Sequence, residues 1–199
     1  MDEQEFQALY GRWQPFTPAE VRGLLARAPF RWWLAGGWAL ELAGAAPRRH
    51  EDIDIGVSFD DLEAVREAFR DFHLWEAHEG LRPLLPGEEL RIGREQLWVR
   101  SDASHPWLAD IVLTPTRGGR WVFKKDNRIT LPLDHALAAR DEVEYLKPEI
   151  VLLHKAHLMR QKDEADFASL LPALDDHARD WLDNALALYL PAHAWRAQL

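Results

Sequence analysis

Hydrophobic positions fall first in short runs and alternating pairs along this chain, and only in its last quarter at helical spacing throughout. Thr17-Pro18-Ala-Glu20 predicts a helix start, with Thr17 as cap, Pro18 in the first turn and Glu20 closing a capping box. That helix ends before Pro29. Arg31 to Ala35 reads as a short buried strand, Gly36-Gly37 as a turn, and Trp38 to Ala43 as a helix stopped by Gly44 and Pro47. Asp52 to Val57 alternates as a strand should. Phe59 to Phe72 returns to helical spacing, with Leu62, Val65, Phe69 and Phe72 on one face.

Strand signals dominate the middle of the chain. Leu90 to Ile92 and Gln96 to Arg100 suggest a hairpin around Gly93-Arg94, and Trp107 to Leu113 is the strongest later strand, closed by Thr114-Pro115. Arg120 to Phe123 and Arg128 to Leu131 suggest a further hairpin through Lys125-Asp126-Asn127. From Pro148 the pattern predicts three helices: Pro148 to Gln161, Asp163 to about Leu171, and Asp175 to Tyr189. The fold class is therefore α+β, a mixed β-sheet flanked by helices with a helical C-terminal part. The change of pattern near Tyr145 to Pro148 divides a mixed α/β domain, 1–145, from a helical region, 146–199.

The chemistry concentrates in two stretches, Trp33-Leu-Ala-Gly-Gly-Trp-Ala-Leu-Glu-Leu-Ala-Gly44 and Arg48-Arg-His-Glu-Asp-Ile-Asp-Ile-Gly-Val57. Successive strand side chains point to opposite faces, so Asp52 and Asp54 share one face and Ile53 and Ile55 the other. One face offers two carboxylates to a hard cation, and the other suits a core. Magnesium takes few carboxylates and keeps positions for substrate phosphate oxygens. Glycines ahead of a helix let phosphates approach exposed backbone N–H groups, which makes Gly36 and Gly37 candidates for that contact. A lone Asp-x-Asp or Gly-Gly is weak; the two together are specific.

The combination of Gly-Gly, helix and Arg-x-His-x-Asp-x-Asp resembles the nucleotidyltransferase superfamily. It looks most like the aminoglycoside 2''-nucleotidyltransferases and lincosamide nucleotidyltransferases, which carry a similar Gly-Gly-Trp-Ala stretch. The resemblance implies a nucleotidyltransferase-type fold and a Mg2+-dependent reaction with a nucleoside triphosphate as co-substrate. It implies Arg48 as the motif arginine, and a phosphate or loop-locking role for Arg48 and His50. Arginine suits phosphate through its planar fork, whereas His50 is a poor ligand for magnesium, which prefers oxygen.

Transfer to a hydroxyl also needs a group that takes the proton. Asp110 is the candidate third acid, because Leu108-Ala-Asp-Ile-Val-Leu113 is otherwise too apolar to tolerate an uncompensated carboxylate. In the resembled family the third acid is a metal ligand or the general base, and the spacing leaves both roles open. Lys155 falls between Val151, Leu152, Leu158 and Met159 on an apolar helical face. It either snorkels to the edge of the core or reaches an anion; family resemblance favours the triphosphate. Asp163 reads as the cap of the following helix.

Composition narrows the partners. A chain of 199 residues with 47% hydrophobic and 29% charged positions is an ordinary globular protein. It has no apolar stretch approaching a membrane span and an acidic start, so a cytoplasmic location without membrane partners is the expectation. With no cysteine, thiolate nucleophiles and thiolate metal sites are excluded. The net charge of −9 disfavours nucleic acid, whose binding draws on basic surface. It suits a cationic small molecule or a basic partner protein better, and the resemblance implies a small-molecule hydroxyl acceptor, aminoglycoside- or lincosamide-like. Ten tryptophans mostly signal core packing, with some available for an aromatic-lined pocket. Two rival functions are a toxin–antitoxin-type nucleotidyltransferase acting on protein or tRNA, and a non-catalytic nucleotide-binding module.

Overall fold

Contacts in the computed structural model divide the chain into two units, Met1–Leu34 with Arg49–Thr114, and Ala35–Arg48 with Pro115–Leu199. The structure describes residues 3–77, 80–91, 93 and 95–199. The chain begins in the first unit with helices α1 (Glu3–Tyr10) and α2 (Pro18–Leu24) and strand β1 (Trp32–Leu34). The capping box at α2 forms as its residues require: Thr17 Oγ1 accepts the Glu20 N–H, and the Thr17 N–H donates to Glu20 Oε2 at 2.7 Å.

The chain then supplies helix α3 (Gly36–Leu42) to the second unit. It returns as β2 (Asp54–Ser58), a 3-10 turn over Phe59–Asp61, and helix α4 (Leu62–Ala68). Strands β3 (His73–Ala77), β4 (Leu81–Pro83), β5 (Gln96–Arg100) and β6 (Ala109–Thr114) complete the first unit. Its strands lie in the order β1, β2, β6, β5, β3, β4. Only β2 and β6 run parallel; the remaining neighbours are antiparallel. This is the mixed sheet that the sequence predicts.

Two details fix the middle of that sheet. Gly56 is the register partner of Trp33, and a Cβ at Gly56 would come within 2.0 Å of the buried Trp33 indole nitrogen. The glycine is there because an indole occupies the space a side chain would take. On β3, Glu76 is 1% exposed and held by Arg82 at 3.0 Å and by the Arg91 side chain at 2.8 Å. Burial pushes its carboxyl pKa up, but bonds from Arg91 and Arg82 win and hold it below the usual glutamate range.

The second unit continues with β7 (Thr116–Arg117), β8 (Arg120–Val122) and β9 (Thr130–Pro132), a three-stranded antiparallel sheet. A short helix, α5 (Leu133–Ala136), leads to the hairpin of β10 (Leu137–Arg140) and β11 (Val143–Leu146). Helices α6 (Pro148–Ala156), α7 (Gln161–Leu170) and α8 (Asp176–Tyr189) follow, with α3, α7 and α8 packed on α6. His154 on α6 lies against Trp121 and Phe123, and burial pushes its pKa down to about 3. Among the described residues no helix is long and apolar enough to cross a membrane.

Several boundaries differ from the sequence expectation for identifiable reasons. Leu90 and Arg91 form no strand, Ile92 and Arg94 lie outside the described residues, and β5 pairs instead with β3 and β6. The hairpin of β10 and β11 turns through Asp141 and Glu142 at positive φ (51° and 62°), without the Asn-Gly signal that marks such turns. Helix α6 stops at Ala156, five residues short of the predicted Gln161, and Met159 adopts φ 49° before α7 begins. The contact units also do not follow the change of pattern at 145: residues 115–146 and α3 fall in one unit with the C-terminal helices, and α3 packs on α6.

Candidate active site

The sheet of the first unit brings two of the predicted acids together. Asp54 on β2 and Asp110 on the parallel β6 are register partners, and the Asp110 N–H donates to the Ile53 carbonyl at 2.9 Å. Directly paired residues project from the same face. The row continues from Asp110 to Trp98 on β5, to Trp75 on β3 and to Pro83 on β4. Burial alternates as predicted: Asp52 and Asp54 are half-buried, while Ile53 and Ile55 are fully buried. Asp52 precedes the first residue of β2 by two positions, so the strand begins later than expected.

Asp110 is only 6% exposed, which makes its donors decisive. Gln96 Nε2 and the Trp98 indole N–H both donate to its Oδ2, at 2.9 Å and 3.2 Å. Neither donor stood out in the sequence. The available signal was the alternation Gln96-Leu97-Trp98-Val99-Arg100, in which Leu97 and Val99 take the buried face and leave the polar residues together on the other. Magnesium needs only one or two carboxylates when phosphate and water fill the remaining positions. The Asp54–Asp110 pair therefore fits such an ion. Among the described residues no group of three or more His, Cys, Asp or Glu side chains is arranged for a metal.

The second unit contains a different assembly. Lys155 on α6 is 8% exposed, and its Nζ lies 2.9 Å from Asp166 Oδ2 and 3.2 Å from Asp163 Oδ1. Arg160 Nε pairs with Asp163 Oδ2 at 2.8 Å, and Arg48 Nε with Asp166 Oδ1 at 3.5 Å. Burial pushes the Asp163 pKa up, but hydrogen bonds from Arg160 and the charge and hydrogen bond of Lys155 hold it below the usual aspartate range. Asp163 is the third residue of α7 and accepts the Arg160 backbone N–H; it is not the cap itself. The apolar stripe singled out Lys155 as a cation that must reach the edge of the core or an anion; its carboxylate partners, on the next helix, were not legible there.

The remaining candidates are placed as follows. Gly36 takes a positive φ of 56° at the junction between β1 and α3, the backbone conformation that favours glycine, and Gly37 follows in α3. The Arg48 N–H donates to Glu41 Oε2 at 3.4 Å, and His50 is half-buried ahead of β2. The basic hairpin around Lys124 is internally braced: Arg120 donates to Thr130, and Arg128 pairs with Asp126.

With that geometry in place, the relatives are informative. Residues 19–84 match the family model of the aminoglycoside-2''-adenylyltransferases. That stretch includes Gly36, Gly37, Arg48, His50, Asp52 and Asp54, and ends before Asp110 and Lys155. The solution structure of the antibiotic-resistance factor ANT(2'')-Ia aligns with a TM-score of 0.58 at 12% identity, over 90% of this chain and 92% of that one. ANT(2'')-Ia in complex with adenylyl-2''-tobramycin aligns at 0.55 and 10% identity, over 86% and 95%. The lincomycin-bound lincosamide antibiotic adenylyltransferase LnuA aligns at 0.54 and 18% identity, over 79% and 98%. No curated protein matches the chain by sequence. At such identities the solved structures speak for the fold, and the family model speaks for the stretch it covers. The chain has the fold of these nucleotidyltransferases, and in its Gly-Gly and Asp-x-Asp stretch it resembles the aminoglycoside-2''-adenylyltransferases.

Proposed function

We propose that this protein is a magnesium-dependent nucleotidyltransferase that moves a nucleoside monophosphate from a nucleoside triphosphate to a hydroxyl acceptor. The observation that carries the reading is the pairing of Asp54 with Asp110 on adjacent parallel strands. Two carboxylates side by side on one face repel each other, and a divalent cation relieves that repulsion. Asp54 and Asp110 are assigned to hold the metal, with Asp52 as the further acid of the motif that would join them once the ion is bound, and Asp110 is alternatively suited to receive the acceptor's proton. The ion would supply neutralisation of phosphate charge as the α-phosphorus is attacked.

The acceptor oxygen forms a new bond to the α-phosphorus, the bond to the β-phosphate oxygen breaks, and pyrophosphate leaves. In this reading Gly36 and Gly37 offer backbone N–H groups to phosphate, and Arg48, His50 and Lys155 offer charge or hydrogen bonds. Lys155 does so from within its pairings with Asp163 and Asp166. The acceptor is assigned to the aminoglycoside- or lincosamide-like small molecules, by analogy with the adenylyltransferases the chain resembles. ATP is the first donor to try, and a cytoplasmic location, where triphosphates are at hand, belongs to the same proposal.

Incubation of the purified protein with each α-labelled triphosphate, Mg2+ and a panel of aminoglycosides, lincosamides, protein and tRNA tests it. Label should pass to a small molecule, only with Mg2+, and not in Asp54→Asn. Label on tRNA or protein would replace the acceptor class. No transfer, with no triphosphate binding by calorimetry, would sink the reading.

A further inference from the structure

We infer that Gln96 and Trp98 are positioning residues that hold the Asp110 carboxylate for the cation; the inference rests on the metal-dependent reading above. A carboxylate on a strand commonly satisfies itself with backbone N–H groups or water. Here two side chains of one neighbouring strand converge on a single oxygen, Oδ2, at 2.9 Å and 3.2 Å. They stand two residues apart on β5, hence on one face, and Trp98 is the direct register partner of Asp110. Rotating the Asp110 carboxylate would stretch both bonds at once.

The Trp98 donor is itself held in place. Trp13 packs edge-on at 5.0 Å and 74°, Trp107 at 5.3 Å and 65°, and Tyr10 at 6.4 Å and 84°. These are the edge-to-face arrangements that aromatic quadrupoles favour. The bracing rings are tied down in turn. The Trp107 indole N–H donates to the Tyr10 carbonyl, and backbone bonds join Trp107 to Arg12 and Gln14 at 2.9 Å each. A chain of fixed groups thus runs from the N-terminal segment through Trp107 and Trp98 to Asp110. Packing alone would not require the indole N–H and the Gln96 amide to choose the same oxygen. Donors to a ligating carboxylate fix its orientation, and losing one typically weakens metal binding by roughly 10–100-fold.

The test uses Mn2+ as probe, its free signal followed by electron paramagnetic resonance, with metal-free thermal melting measured in parallel. Wild type should bind Mn2+ and Asp110→Asn should lose the site. Trp98→Phe keeps a ring for the edge-on packing and removes the N–H; Gln96→Met keeps the length at a half-buried position and removes the amide. Each variant should bind Mn2+ about tenfold more weakly or worse, and Gln96→Met should melt close to wild type. A purely structural role would lower the melting temperature and leave the affinity of the folded protein unchanged, which overturns the inference. Loss in only one variant overturns the joint role. If wild type binds no Mn2+, or Asp110→Asn binds as well as wild type, the metal reading itself falls, an outcome distinct from the other two.

Discussion

Two buried carboxylate sites of this molecule, one at Asp110 and one at Asp163 and Asp166, are held by opposite means. On the sheet of the first unit, the hydrogen bonds identified at Asp110 come from neutral donors, Gln96 and Trp98. Between α6 and α7 in the second unit, Asp163 and Asp166 are held by cations: Lys155, Arg160 and Arg48. Neutral donors orient a carboxylate without cancelling its charge. Paired cations cancel the charge, so that assembly serves the fold first.

The comparison predicts that removing a charge at the Asp54–Asp110 pair costs activity and little stability, with the reverse among the helices. The largest expected effect is therefore at Asp54→Asn. Transfer should fall by roughly 10³-fold or more, about 4 kcal/mol in the barrier, while the melting temperature holds or rises because a like-charge neighbour has gone. Label-transfer kinetics and thermal melting check both halves; an unfolded variant would break the comparison. Next is Lys155→Met, which leaves two buried carboxylates with fewer partners. It should destabilise by about 3 kcal/mol in urea titration. Weaker triphosphate binding with full stability would instead place Lys155 chiefly at the phosphates.

Gly56→Ala tests the rigidity of the sheet, because its Cβ would collide with a buried indole. A loss of about 2 kcal/mol is expected, with a matching fall in activity at fixed protein concentration. Retained stability would mean that Trp33 moves easily and that the row beside it is softer than the geometry implies. The smallest effect is with pH. Asp163 and Glu76 both have carboxyl pKa values depressed in the folded state. Their stabilisation is present above the ordinary carboxylate values and is lost as pH falls through the lower folded ones. Melting measured through that acid range should decline, and Lys155→Met should flatten the part due to Asp163.

Local signals in the sequence carried a good deal of this. The Thr17–Glu20 box, the alternation around Asp52 and Asp54 and the C-terminal helices are all set by neighbours a few residues apart; Gly36 and Gly37, which read as a turn, are instead the first residues of α3. The sequence also singled out Asp110 and Lys155, because a charge in an apolar strand or stripe demands compensation. It did not reveal the compensating groups. Asp163 and Asp166 lie beyond a turn in which Met159 takes a positive φ, a conformation that no glycine announces.

Short-range pattern therefore determined many of the elements, which face of each is polar, and which charges needed partners. Tertiary structure decided the partners. Strand order placed Asp54 beside Asp110 and set Trp98 opposite it, and helix packing brought Arg48 to Asp166 from more than a hundred positions away. The physical reason is that capping, turns and alternation act over distances the backbone fixes locally. Register between strands and contact between helices depend instead on how all the apolar faces are buried at once.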